Sequence, residues 1–228
     1  EEKAGWGARG AKREAGARAG GPPGGGAGEP VAARDEDPGD AARPDVSVII
    51  PVHNTLVYLV ECIESVQRQT GCDVEIICID DGSTDGSGEV LDRYAEAEPR
   101  MRILRQHNGG IARARNAGLS RASGRYVCFL DSDDYWEDDV LSELVRRADA
   151  DDLDALLYDA RSVREPGVAD RTWSKYRNYY ERRAYEGVFE GPRLMAAMHD
   201  VKEHRASACL YLARRRYLTE RGLSFFPG

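Results

Sequence analysis

The sequence predicts an α/β fold: a mostly parallel sheet flanked by helices and preceded by a disordered N-terminal tail. Three observations carry that prediction. Between residues 45 and 160, β-branched apolar runs alternate with stretches of helical periodicity. Two of those runs stop abruptly at acidic clusters, Asp80-Asp81 and Asp131-Ser132-Asp133-Asp134. Residues 1–44 hold 11 of the 24 glycines and 5 of the 10 prolines, and their large apolar residues are Trp6 and Val31. Such a stretch buries too little surface to offset the entropy of ordering it.

The elements follow in order. Val46–Ile50, closed by Pro51, reads as a buried parallel strand. A helix of about 15 residues is expected from Thr55, with Leu56, Leu59, Val60, Ile63 and Val66 on its inner face. Val74–Ile79 is a second strand, and Ser83, Thr84 and Asp85 are placed to cap the helix after it, whose apolar face is Val90, Leu91 and Tyr94. Met101–Leu104 is a short third strand, and Gly109-Gly110 opens the next helix. Tyr126–Leu130 is a fourth strand, followed by a helix with Val140, Leu141, Leu144 and Val145 inward and a strand near Ala155–Tyr158. Arg214–Arg216 reads as a solvated helix face.

Composition narrows the function. The chain has 228 residues, a net charge of −8 and 41% hydrophobic residues, which suits a globular domain with its own core. The acidic balance argues against nucleic acid as a partner. No apolar run approaches the roughly 20 residues of a membrane span. The tail carries Lys3, Arg9, Lys12, Arg13 and Arg18, but it opens on Glu1-Glu2 and has no apolar central region, so it does not read as a signal peptide. The five cysteines include no C-x-x-C pair, and Cys78 and Cys128 lie within apolar runs as small hydrophobes. A reduced, cytoplasmic setting is expected.

Both acidic clusters fall at the carboxyl ends of expected parallel strands, where ligands of open α/β sheets bind. Asp131 and Asp133 lie two apart and in an extended strand end would project to one side. Two such carboxylates suit Mg²⁺ or Mn²⁺, which take few protein oxygens and leave positions for phosphate. The bland alternative is an acidic turn that ends a strand and caps a helix. Asp80-Asp81-Gly82-Ser83 offers acceptors for a ribose hydroxyl or a base N–H, with Gly82 allowing close backbone approach. His53 is the lone histidine near these motifs, since His107, His199 and His204 have no zinc-ligand spacing. Other acidic-tip folds fit less well. Ile79 stands where a haloacid-dehalogenase-type phosphatase needs its nucleophilic Asp. A receiver domain, whose acidic pair ends the first strand, is out of register, because Val46–Ile50 precedes Asp80. Neither G-x-G-x-x-G after the first strand nor G-x-x-x-x-G-K-[ST] occurs.

Four ordered motifs carry a closer resemblance. Val46-Ser-Val-Ile-Ile-Pro-Val-His-Asn54, Ile79-Asp-Asp-Gly-Ser-Thr-Asp85, Asn108-Gly-Gly with Ala114-Arg-Asn-Ala-Gly118, and Phe129-Leu-Asp-Ser-Asp-Asp-Tyr-Trp136 resemble family 2 glycosyltransferases of the GT-A (Rossmann-like) fold. The resemblance spans about residues 45–160; it departs at His53, where many members carry Tyr or another residue. It implies transfer of a sugar from a nucleotide-diphosphate donor to an acceptor hydroxyl of a glycan or lipid-linked molecule, with Mg²⁺ or Mn²⁺. Pro51 and His53 would line the nucleobase pocket, Asp80 would meet the base and Asp81 the region near the ribose. Gly110 and Arg115 would shape the floor of the donor site. Asp131 and Ser132 would face ribose or diphosphate, and Asp133, with Asp131, would hold the metal.

The resemblance also implies an organisation. Residues 1–44 are the tail, 45–160 the nucleotide-sugar-binding core and 161–228 the start of an acceptor-side region, with the chain expected to break off before its domain is complete. In this family the base that deprotonates the acceptor commonly belongs to a Glu-Asp pair downstream of the stretch that Gly222–Gly228 resembles, so it is expected beyond Gly228. Asp200, Glu203 and Glu220 are acidic alternatives. The Arg- and Tyr-rich residues 170–190 suit either grip on an anionic or sugar acceptor or an amphipathic surface. A lipid-linked acceptor would bring the protein to the inner face of the membrane. The competing class is a copy that binds nucleotide or sugar without turnover.

Overall fold

A computed structural model gives the architecture and describes residues 3–6, 43–163, 188–200 and 207–226. The central strand β2 (Val46–Val52) is buried along its whole length, as its β-branched composition requires. Helix α1 (Leu56–Gln67) leads to strand β3 (Val74–Asp80), also buried throughout. Helix α2 (Ser87–Ala97), strand β4 (Met101–Arg105), helix α3 (Ile111–Leu119) and strand β5 (Tyr126–Phe129) continue the alternation. Beyond β5 come strand β6 (Tyr135–Trp136), helix α4 (Val140–Ala150), and strands β7 (Ala155–Leu157) and β8 (Ala160–Val163). Helix α5 (Gly191–Asp200), strand β9 (Tyr211–Arg214) and helix α6 (Arg215–Glu220) complete the described residues.

The six-stranded sheet has the order β4-β3-β2-β5-β9-β7. β4, β3, β2 and β5 are mutually parallel, whereas β9 runs antiparallel to both β5 and β7. The α/β class with a mostly parallel sheet therefore stands as expected. The chain leaves β2 toward β3 and β4, then returns to the other side of β2 to lay down β5. That reversal makes a topological switch point between β2 and β5, and the carboxyl ends of the strands at such a point are where open α/β sheets bind ligands.

Four details differ from the sequence reading. First, Lys3–Trp6, expected within the tail, form strand β1 between β6 and β8 in a small second sheet. Residues 7–42 lie outside the described residues. Second, the inner face of α1 is Leu59, Cys62, Ile63, Ser65 and Val66, while Leu56 and Val60 are exposed. Ser65 is buried because its Oγ donates to the Cys62 carbonyl and accepts the Trp136 N–H, so its polar atom is satisfied. Third, Arg214 lies on β9 rather than on a solvated helix face; its guanidinium pairs with Asp152 and sits 5.4 Å from the Tyr126 ring centroid. Arg215 donates to the Gly124 carbonyl. Fourth, Asp131–Asp134 is a turn rather than an extended strand end, closed by the Asp134 N–H on the Asp131 carbonyl at 2.9 Å. All five cysteines are free thiols, and burial pushes Cys78 up to about 12. The Arg- and Tyr-rich residues 170–187, together with Glu203, lie outside the described residues.

Candidate functional site

The site is built on three strand ends. β2 ends at Val52, whose carbonyl accepts the Asp81 N–H at 2.9 Å, tying the tips of β2 and β3 together. Asp80 is 7% exposed, and its Oδ1 accepts the Ser83 N–H at 2.9 Å, folding the turn after β3 back on itself. Its Oδ2 lies 3.7 Å from Arg105 Nε. Gly82 within that turn has φ +74°, and a Cβ there would meet the Asn108 backbone nitrogen at 3.0 Å, so only glycine fits without strain.

Asp81 is buried and its carboxylate organises the neighbouring loop. Oδ1 accepts from Gln106 Nε2 at 2.7 Å and from the Gly109 N–H at 2.8 Å, and Oδ2 accepts from the Gly110 N–H at 2.9 Å. Gly110, at φ 82°, stands at the start of α3. His53 faces the same loop. Its Nδ1 lies 2.9 Å from the Asp81 carbonyl, which can only accept, so Nδ1 carries the proton. Nε2 then accepts from the side-chain amides of Asn108 at 3.1 Å and Asn54 at 3.3 Å. The structure thus gathers His53, Asp80, Asp81 and Gly110 into one cluster, with Pro51 buried behind it on β2.

The second cluster surrounds the acidic turn after β5. Arg115 Nη2 donates to Asp131 Oδ1 at 2.7 Å, and the Arg115 side chain is 13% exposed. Ser132 is buried and accepts from Thr55 Oγ1 at 2.9 Å, which joins the turn to the end of β2. The Cys62 thiol donates to the Asp131 carbonyl at 3.7 Å, and the Cys209 sulfur lies 3.8 Å from Arg115 Nη2. Burial, with the nearby acidic groups, pushes both thiols up and keeps them neutral. They pack the turn and are no nucleophiles at neutral pH. Among the described residues no group of three or more His, Cys, Asp or Glu side chains that could hold a metal ion comes together, and Asp131 Oδ1 is engaged by Arg115. By residue type, the carboxylates of Asp131 and Asp133 are hard oxygen donors of the kind that Mg²⁺ or Mn²⁺ takes when water and phosphate oxygens complete its shell.

Sequence reasoning missed several members. Gln106 and Asn108 reach into the first cluster. Thr55 reads from sequence only as a helix start, whereas its hydroxyl donates to Ser132 Oγ. Asp85 was expected to cap α2; its Oδ1 accepts the Ser87 N–H at 3.0 Å, and its Oδ2 also accepts the first N–H of α1, from Leu56, at 2.9 Å. The run of polar residues Ser83–Asp85 carried the signal for one cap but not for the second. Glu220, weighed as a base, is exposed and lies 3.6 Å from Arg216. Among the described residues, no helix is long and apolar enough to cross a membrane.

Comparison with known proteins places this geometry. The chain is 42% identical over 113 residues to the glycosyltransferase GlyG of Streptococcus pneumoniae, covering 49% of this chain and 38% of that protein. Among solved structures it is similar to S. aureus TarS in complex with UDP-GlcNAc, with a TM-score of 0.61 and 24% identity over 80% of this chain and 48% of that one. It is similar also to a mannosyltransferase from Pyrobaculum calidifontis in complex with GDP-Man and Mn²⁺, with a TM-score of 0.54 and 22% identity over 85% of this chain and 50% of that one. The chain therefore spans half or less of the length of these proteins, and the two structures speak for the fold. The family model described as "Glycosyl transferase family 2" matches residues 47–201, which contain every strand tip and loop of both clusters. With the parallel sheet, the acidic tips and this match in agreement, the chain belongs to glycosyl transferase family 2.

Proposed function

We propose that the chain binds a nucleotide-diphosphate sugar across the carboxyl ends of β2, β3 and β5 and forms the donor half of an inverting glycosyltransferase. The observation that carries the reading is the placement of two polar clusters at one end of a parallel sheet, beside the reversal of strand order. The complexes of the TarS and mannosyltransferase neighbours with UDP-GlcNAc and GDP-Man support the ligand class.

In this reading His53 and Pro51 border the nucleobase, and Asp80 supplies an acceptor to it. Asp81 works through the shape of the loop Gln106–Gly110, because its carboxylate is occupied by that loop. Gly110 and Arg115 form the floor beneath the diphosphate, and Asp131 and Ser132 border the ribose and diphosphate. Asp133, with Asp131, would hold Mg²⁺ or Mn²⁺, an ion the mannosyltransferase neighbour carries as Mn²⁺. Held there, the ion would supply positive charge against the charge that grows on the leaving diphosphate. Arg115 offers a fixed cation to the same charge. A carboxylate on the opposite side would deprotonate the acceptor hydroxyl, giving displacement with inversion; we assign that role to none of the described acids. The acceptor is a glycan or lipid-linked hydroxyl.

The test is release of nucleotide diphosphate from a panel of UDP- and GDP-sugars with Mn²⁺, alone and with glycan or lipid-linked acceptors. Turnover of one donor, lost in Asp133→Ala, supports the reading. Absence of turnover with every donor, together with unaltered donor binding in Asp133→Ala, would leave a sugar- or nucleotide-binding protein instead.

A further inference from the structure

We infer that Asn116 is a positioning residue: by clamping the segment Leu223–Phe226 it fixes Arg115 beneath the acidic turn. Asn116 lies inside α3, where asparagine is a poor helix former. Its side chain is instead matched to a backbone. Nδ2 donates to the Phe225 carbonyl at 2.8 Å, and Oδ1 accepts the Phe225 N–H at 2.8 Å. This reciprocal pair reproduces a rung of a strand ladder with one side chain. It satisfies both polar groups of a residue that belongs to no helix or strand.

The clamp sets the Phe225 ring, which packs edge-on against Phe129 with centroids 5.0 Å apart at 84°. Phe129 ends β5, two residues before Asp131. The Arg115 guanidinium lies over the other partner of this stack, 5.4 Å from the Phe225 centroid. Arg115 is thus held by an aromatic face along its plane and by Asp131 at its tip. Its Nε is buried and has no hydrogen-bond partner among the described residues. A buried N–H without an acceptor is costly to maintain, so the contacts that hold Arg115 in this place carry weight. The geometry points to a donor diphosphate as the anion beside which the clamp holds the Arg115 guanidinium, a step that rests on the donor-site reading above; the clamp itself does not.

The experiment follows the Arg115 Nε–H signal in ¹⁵N-labelled protein, assigned by its loss in Arg115→Lys, and measures its exchange with water. Asn116→Ala and Phe225→Leu should each speed that exchange about tenfold or more. Asn116→Asp, which keeps the acceptor but loses the donor, serves if Asn116→Ala does not fold. In parallel, the affinity for UDP and GDP with Mn²⁺ is measured. Each variant should weaken the nucleotide that the parent binds by about tenfold, and neither should weaken it further in an Arg115→Lys background. Unchanged Nε–H exchange in both variants overturns the clamp, as does a full loss of affinity that persists without Arg115. If the parent binds neither nucleotide, the donor-site reading falls, while the exchange rates still decide the clamp.

Discussion

Asp81 sits 3% exposed between two strand tips, and its two oxygens receive three N–H donors from the segment after β4. Replacement by asparagine keeps the shape but turns one oxygen into a donor that faces a backbone N–H. Hydrogen bonds to a charged group contribute about 1.5–3 kcal/mol each, so Asp81→Asn should destabilise the protein by about 2 kcal/mol or more, read from urea unfolding. Stability equal to the parent would mean that the loop Gln106–Gly110 is held elsewhere. His53 shows why single residues are hard to read from sequence. Its position after a strand left lining, base and ligand roles open, whereas its Nδ1 contact with the Asp81 carbonyl fixes one tautomer and points Nε2 at two amides. Those partners come from loops 28 or more residues away except for Asn54, and no local pattern announces them.

Helix α3 is the element that joins the clusters, since Gly110 begins it and Arg115 and Asn116 lie within it. It lies so close to the sheet that a Cβ at Gly118 would stand 2.4 Å from Ile49 Cγ2 and 2.8 Å from Ile79 Cδ1. Alanine is the better helix former, by about 1 kcal/mol, yet here the overlap with a packed core should cost about 1–3 kcal/mol. Gly118→Ala is expected to lower the melting temperature by several degrees; a rise would show that the helix can move outward freely. β2, β3 and β5 were legible because near-continuous apolar runs announce burial on both faces, whereas β4, at the sheet edge, is only partly buried and was legible from its short apolar stretch. β9 was not, because Tyr211–Arg214 is short, mixes apolar and cationic residues, and is committed to the sheet by Leu212 and by the stacking of Arg214 on Tyr126. The outward turn of Leu56 and Val60 in α1 was hidden for a related reason. Ser65 and Cys62 took the inner face by hydrogen bonding and small size, which apolar periodicity does not register.

Across the whole molecule the two ends of the sheet are specialised. The carboxyl end gathers the candidate site, and the other end gathers structural ion pairs and buried carboxylates. Glu75 is buried at the start of β3. Burial alone would raise its carboxyl, but hydrogen bonds from Ser47, Ser123 and Gly124 outweigh it and hold it below the usual 4.5. Burial likewise opposes ionisation of Asp149, while hydrogen bonds from Arg125 and Tyr126 bring it below its usual 3.8. A carboxylate held lower in the folded state stabilises above its unfolded value and loses that contribution as pH falls through the folded one. Stability should therefore fall progressively below about pH 4.5. Glu75→Gln should be less stable than the parent at pH 7 and approach it at pH 3, as followed by urea unfolding; parallel curves would exclude Glu75 from the acid limb. The division of labour between the sheet ends was visible in outline from the acidic tips, but the pairing of Asn116 with Phe225 spans 109 residues that only the fold brings together. At this scale the proposed property is a nucleotide-diphosphate site at the carboxyl ends of β2, β3 and β5. The most direct test is calorimetric titration of the chain with UDP and GDP, with and without Mn²⁺. Binding of one of them that is strengthened by Mn²⁺, and that loses this metal dependence in Asp133→Ala, is the predicted result. Absence of binding to either nucleotide, or metal-dependent binding that survives Asp133→Ala unchanged, would contradict it.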